Sequence, residues 1–402
     1  MNRATRVAFF PDAYHEIDGV ANTSRRFEAF ARQRGLPFLI VHGGPHNQIT
    51  QQGSVLRVQL RRSRVGFSLD RDHDYDLVFL RHYWRVKRLL LDFNPDVVHI
   101  TGPSELGIMG ALLAHHLGVA LAASWQTNLH QYARSRAGRL LRFIPERLRD
   151  RLLDIIERGS FRATGRFYKI PQVLFAPNPE LVESLTKATG KSCFFMSHAA
   201  DTGVFSPEFR DRQGGPFRIG YVGRFTAEKN VRLFARLEEA LLASGQRDFR
   251  IVMVGQGAEE AWLRKNLRQA EFTGVLTGRD LSCAYANFDL FVFPSETDTF
   301  GLAVLEALAS GVPAVVMAGG GPKYSVQAGS TGCIARNFEE LVAATTRLMS
   351  RPEALASMRR AAREYALSRS WDEIFDDIYR VYTRHLQVSK TRLQDDRVAT
   401  LA

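Results

Sequence analysis

The chain has 402 residues, a length at which a single hydrophobic core usually gives way to two domains. With 45% hydrophobic and 24% charged residues it is neither disordered nor fibrous. It has no run of about 18 uncharged apolar residues of the kind that crosses a bilayer. Its opening ten residues are too polar for a signal peptide. Cys193, Cys283 and Cys333 lie far apart, without metal-ligand spacing, which argues against a structural zinc or a disulfide framework and for a reducing cytosol.

The elements read in chain order alternate. Arg6–Phe10 is a predicted strand, Thr23–Arg32 a helix, and Phe38–Val41 and Val55–Leu60 are strands. Asp72-His73-Asp74 reads as a solvated turn in a polar loop. Asp96–Ile100 has the unbroken apolar run of a buried strand, Leu106–Leu117 a helical period, and Ala120–Ser124 another strand. Between Arg134 and Lys169, eleven basic residues face four acidic ones, with apolar residues interleaved. That is either an anionic-surface contact or a helix face whose charges are simply solvated.

The alternation then restarts. Phe217–Val222 is a strand, Val231–Leu242 a helix, Phe249–Val254 a strand, with a helix from about Ala258. Leu290–Pro294 is a strand, Gly301–Ser310 a helix, Ala314–Met317 a strand. The expected division is a first α/β domain over 1–205, a linker over 206–216 rich in proline, glycine and charge, and a second α/β domain over 217–370. A last helix over 371–386 and a disordered tail over 387–402 complete the chain.

Two stretches carry chemistry. In Pro294–Pro313 a strand ends, a loop carries Asp298, and a helix begins near Phe300 and Gly301. The N–H groups of Phe300, Gly301 and Leu302 would lie at the positive end of that helix and suit a phosphate. Asp298 and Glu306 could accept hydrogen bonds from sugar hydroxyls at two depths; read as residues alone, Asp298 is equally a helix cap. In Tyr221–Asn230 a strand ends at Gly223, and Arg224 and Lys229 follow as a pair of cations able to clamp a diphosphate. Nearer the start, Asp18-Gly19-Val20 follows the first strand, and Gly19 allows a ligand close to the backbone.

These residues resemble the retaining GT-B glycosyltransferases that include bacterial phosphatidylinositol mannosyltransferases, sucrose synthases and sulfolipid synthases. Asp298 and Glu306 occupy the ends of the family's Glu-x7-Glu motif, with Asp298 one methylene shorter than the usual glutamate. Gly223, Arg224 and Lys229 match its Gly-Arg-x4-Lys diphosphate site. Ser124-Trp125-Gln126-Thr127-Asn128 resembles Ser-(Tyr/Trp)-His-Thr-Asn, with Gln126 where the family has a cleft histidine. Gln can hydrogen-bond but cannot titrate; His130, nearby, is a substitute or a structural histidine. Phe272–Gly278, with Leu276, resembles the loop that holds the base.

The resemblance implies two Rossmann-like domains with parallel sheets facing a central cleft, and hexose transfer with retention from a GDP- or UDP-sugar to a lipid or saccharide hydroxyl. Arg224 and Lys229 would hold the diphosphate, Asp298 the hexose and Glu306 the ribose, while Gly19 and Gln126 complete the cleft. No metal and no cofactor beyond the donor are expected. The basic stretch over 134–169 suggests peripheral contact with the inner face of the cell membrane. The alternatives are a degenerate member that binds donor without transfer, suggested by Gln126, and a nucleic-acid binder, suggested by the basic charge but supported by no recognition motif.

Overall fold

In the computed structural model of the chain, residues 3–16, 19–63, 66–70, 73–76, 78–126 and 146–385 are described. Asp18, Asp72, His130, residues 134–145 of the basic stretch and the tail over 387–402 lie outside them.

The chain folds as two compact units, 1–197 with 371–402, and 198–370. The first contains β1 (Val7–Phe10), α1 (Gly19–Gln33), β2 (Phe38–Gly44), β3 (Gln48–Gln52), β4 (Val55–Arg61), β5 (Gly66–Asp70), β6 (His73–Asp76), α2 (Tyr83–Phe93), β7 (Val97–Ile100), α3 (Glu105–Leu117), β8 (Ala120–Ser124), α4 (Glu146–Phe167), β9 (Val173–Ala176), α5 (Pro179–Thr189) and β10 (Ser192–Phe195). Its sheet runs β10-β9-β8-β7-β1-β2-β4-β3. All neighbours are parallel except β3, which pairs antiparallel with β4 at the edge. The central strands β1 and β7 are buried along their whole length, as a parallel sheet covered on both faces requires. Caps set the helix ends. The Ser104 hydroxyl accepts from the Gly107 amide at the start of α3, and Gly118 ends it with φ at 64°.

The polar stretch around His73 is not a loop: β5 and β6 pair antiparallel as a separate hairpin. Alternation of polar with aromatic residues conceals such a pair from a reading that looks for apolar runs.

The second unit contains β11 (Phe217–Val222), α6 (Leu233–Ala243), β12 (Phe249–Val254), α7 (Glu260–Asn266), β13 (Ala270–Gly274), α8 (Gly278–Ala286), β14 (Leu290–Phe293), α9 (Leu302–Ala309), β15 (Ala314–Met317), β16 (Gly332–Ala335), α10 (Phe338–Met349) and α11 (Pro352–Leu367). Its sheet, β13-β12-β11-β14-β15-β16, is parallel throughout. The stretch over 206–216, expected as a linker, is fastened to this unit. Arg210 Nη2 and Arg212 Nη1 donate to Asp289 at 2.7 and 2.6 Å, and Arg363 Nη1 donates to the Phe205 carbonyl at 2.8 Å. A last helix, α12 (371–385), belongs to the first unit, where Phe375 stacks on Phe27 with ring centres 4.6 Å apart.

Candidate functional site

Strand order fixes where the second unit can bind a ligand. From β11 the chain steps to β12 and β13 on one side, and from β14 to β15 and β16 on the other. β11 and β14 are therefore the switch point, beyond whose carboxyl ends the loops diverge and open a crevice. These two loops carry Arg224, Lys229 and Asp298.

The loops are stitched together. Thr297 Oγ1 donates to the Glu228 carbonyl at 3.0 Å, and Asn230 Nδ2 donates to the Pro294 carbonyl at 3.2 Å. Between these bonds Lys229 Nζ donates to Asp298 Oδ1 at 2.5 Å, with the two side chains only 12% and 20% exposed. Oδ2 of Asp298 is buried and has no hydrogen-bond partner among the described residues. A buried carboxylate oxygen in that state is an acceptor in want of a hydroxyl or an N–H.

The backbone here depends on glycine. Gly255, at the end of β12, has φ at 132°, and a Cβ on it would lie 2.0 Å from the Gly223 carbonyl oxygen. Tyr221, fully buried on β11, donates its hydroxyl to the Arg224 carbonyl at 3.0 Å and so fixes the turn that projects Arg224.

Helix α9 starts one residue later than expected. Gly301 is its N-cap, with φ at 85°, and packs against Pro322, whose Cγ would be 3.0 Å from an added Cβ. Val304 N–H closes the first turn on the Gly301 carbonyl at 2.9 Å. Of the three expected amides, only that of Leu302 thus belongs to the helix; those of Phe300 and Gly301 precede it. The Phe300 ring is buried against His198, with ring centres 4.6 Å apart.

About one turn into α9, Glu306 accepts from the hydroxyl of Tyr285 at 2.8 Å through Oε2. Burial and the nearby Glu306 charge hold the Tyr285 phenol protonated, well above its usual range. Leu276 is half-buried in the loop between β13 and α8. That is two strands from β11, or about 10 Å along the same carboxyl edge.

The structure therefore collects Gly223, Arg224, Lys229, Leu276, Asp298, Phe300, Gly301, Leu302 and Glu306 on one edge of one sheet. Gly19, the exposed first residue of α1, and Gln126, just past β8, belong to the first unit. Sequence reasoning missed Tyr221, Tyr285 and Thr297. Each acts through a tertiary contact that no local spacing encodes. Among the described residues no cluster of His, Cys, Asp and Glu could hold a metal ion, and no helix is long and apolar enough to cross a membrane.

Comparisons with known proteins bear on this geometry. Residues 216–351 match the family described as Glycosyl transferases group 1, and residues 18–158 match the Glycosyl transferase 4-like domain. A GDP-mannose-dependent alpha-mannosyltransferase of Mycolicibacterium smegmatis is 32% identical over 73% of this chain and 75% of its own length. The sulfoquinovosyl transferase of Arabidopsis thaliana is 26% identical over 92% of this chain and 72% of its own length. Among solved structures, a sucrose-phosphate synthase from Thermosynechococcus elongatus superposes with a TM-score of 0.70 at 14% identity, covering 95% of this chain and 99% of its own. HepE of Anabaena, solved with UDP and glucose, superposes at 0.67 and 14% identity, covering 94% and 100%. The fold is GT-B, with two Rossmann-like domains built on parallel sheets.

Proposed function

The chain belongs to the glycosyltransferase group 1 family, and we propose that it is a retaining enzyme that moves a mannose- or glucose-type hexose from a GDP- or UDP-sugar to a hydroxyl acceptor. The observation that carries this reading is the Lys229–Asp298 pair at the β11/β14 switch point, with Asp298 Oδ2 buried and without a hydrogen-bond partner among the described residues. A hexose hydroxyl supplies the donor that this oxygen lacks. Arg224 and Lys229 bind the diphosphate and neutralise the charge that builds on it as the glycosidic bond breaks. The amide of Leu302 adds the positive end of a helix. Glu306, already oriented by Tyr285, takes the ribose, and Leu276 lies against the base. No metal or further cofactor enters this scheme. Without an enzyme nucleophile, the leaving phosphate takes the acceptor proton, and Gln126 in place of a histidine is compatible with turnover.

The relative from Mycolicibacterium smegmatis is named for GDP-mannose, which favours guanine as the base and mannose as the sugar. A lipid acceptor at the inner face of the cell membrane suits α4, whose Leu148 and Ile155 are 52% and 66% exposed, seven positions apart and on one face of a basic helix. The substitution of Gln126 for the family histidine supports a second reading, in which donor binds and no sugar moves.

A thermal-shift series with GDP, UDP, ADP and their hexose conjugates tests the donor site. We expect one nucleotide to raise Tm and Lys229→Ala to abolish the rise. Anomeric NMR of the product with that donor then tests retention. Stabilisation without transfer to any hydroxyl acceptor would leave the second reading standing, and no stabilisation at millimolar nucleotide would overturn both.

A further inference from the structure

We propose that His99, Ser124 and Tyr382 are positioning residues that fix the side chain of Gln126 for the transfer step; the inference rests on the glycosyl transfer proposed above.

His99 lies at the third position of β7, an apolar strand in the middle of the first sheet, and is 1% exposed. Its ring sits in an aromatic box. Phe175 stacks on it at 5.5 Å, and Phe9, Phe27 and Tyr382 meet it edge-on. A phenylalanine or leucine would pack there without the cost of burying two ring nitrogens. Both nitrogens are engaged: Nδ1 with the hydroxyl of Tyr382, on α12, and Nε2 with Ser124 Oγ at 3.1 Å. Burial pushes the imidazole down to about 3. It is therefore neutral at physiological pH, one nitrogen donating and the other accepting between two hydroxyls that can each do either.

The Ser124 hydroxyl continues the chain by accepting from Gln126 Nε2 at 3.3 Å. The backbone at this point is independently pinned. Tyr168 donates its hydroxyl to the Ser124 carbonyl at 3.2 Å, Trp125 N–H donates to the Phe175 carbonyl at 2.8 Å, and the buried Trp125 ring packs on Tyr168 at 4.9 Å. The Gln126 side chain has three torsions, and each must be held for one orientation to persist. The Ser124 hydroxyl holds the amide nitrogen and so sets which face of the amide is presented. Glutamine has no titrating proton, so this relay orients and does not conduct.

The inference also accounts for the placement of α12. Tyr382, far along the chain, reaches Gln126 through three hydrogen bonds inside one unit.

The test uses the full-length protein labelled with glutamine bearing ¹⁵N in the side chain. The Gln126 amide signal is assigned by its loss in Gln126→Ala. We expect it to shift in Ser124→Ala and in Tyr382→Phe, with the Tm of Ser124→Ala within about 2 °C of the parent. A signal unmoved in both variants overturns the relay. In transfer assays, Ser124→Ala should lower kcat about tenfold with donor KM changed less than about twofold, and should have no further effect in a Gln126→Ala background. Additive losses would show that Ser124 acts by another route and overturn the inference. If the parent protein moves no sugar, the functional reading fails by itself, and the amide signal alone decides whether the relay holds Gln126.

Discussion

Each sheet has a switch point, and each places an aspartate there. In the first unit the switch lies between β1 and β7, and Asp12 follows β1. In the second it lies between β11 and β14, and Asp298 follows β14. Asp12 has been absorbed into the fold. The Ser104 hydroxyl donates to its Oδ1 at 2.5 Å, its own N–H donates to Thr101 Oγ1 at 2.7 Å, and a Cβ on Gly102 would lie 2.1 Å from Oδ2. Burial pushes its carboxyl up to about 7, assisted by the Glu105 charge and opposed by hydrogen bonds from Ser104 and Thr101. Asp298 has a cation on one oxygen and a buried second oxygen with no hydrogen-bond partner among the described residues. Topology thus supplies two equivalent crevices, and side-chain chemistry decides which is filled by protein and which keeps capacity for a ligand.

The largest expected effect breaks this comparison if it fails. Lys229→Ala removes a diphosphate contact and the cation that Asp298 Oδ1 accepts from. A sheltered charge-assisted bond contributes about 1.5–3 kcal/mol, and the loss of that cation beside Asp298 adds to the cost. The loss in kcat/KM should be about 100-fold or more, read in a transfer assay with the donor that raises Tm. Asp12→Asn, at the other switch point, should leave kcat/KM within about threefold while changing stability. Equal losses in the two variants would show that both crevices take part in chemistry.

Much of the second site was legible because its parts are contiguous. Gly223 to Lys229 and Asp298 to Glu306 are two short stretches in which a strand end, a charge and a helix start recur at fixed spacing. The strand boundaries of Phe217–Val222 and Ala314–Met317 were legible for the same reason: short, mainly apolar runs bounded by turn residues. The start of α9 was not, because the left-handed turn at Gly301 answers to Pro322, a residue from another loop. Nor were Tyr285 and His99 legible as functional. One is a tyrosine in a helix and the other a histidine in an apolar strand, and their partners, Glu306 and Ser124, are 21 and 25 positions away. Edge strand β3, with its Gln-Ile-Thr-Gln-Gln sequence, was missed because an exposed edge has no apolar face to display.

A smaller effect sharpens the comparison through pH. Burial lowers His42 to about 4 and His99 to about 3 in the first unit, and His198 to about 3 in the second. Each imidazole titrates near pH 6.5 in the unfolded chain, so below that value the unfolded chain binds a proton that the fold does not. Stability is lost as pH falls, by on the order of 1 kcal/mol per imidazole at pH 5.5. Asp12 has the opposite sign. Below about 7 the fold holds a proton that the unfolded chain releases, so acid restores about 2 kcal/mol to the first unit over the same interval. We expect hydrogen exchange to show the second unit looser at pH 5.5 than at neutral pH. His198→Phe, which keeps a ring against Phe300, should remove most of that loss. Loosening of the second unit that is unchanged in the variant would show that His198 does not set its acid stability.

The smallest effect separates two roles for acids inside the same crevice. Tyr285→Phe removes the hydroxyl that orients Glu306 but keeps the buried ring, which packs against Phe205, Phe288 and Phe291. Glu306 loses a donor at 2.8 Å, a change of about 1 kcal/mol if water partly replaces it. A ribose contact is made equally in the ground state and the transition state, so it should appear in binding and not in turnover. Donor KM should therefore rise about fivefold with kcat within about twofold, whereas Lys229→Ala lowers kcat itself. If Tyr285→Phe instead lowers kcat at unchanged KM, Glu306 stabilises charge that develops during transfer, and the division between a binding carboxylate at Glu306 and a hexose-contacting carboxylate at Asp298 must be reversed.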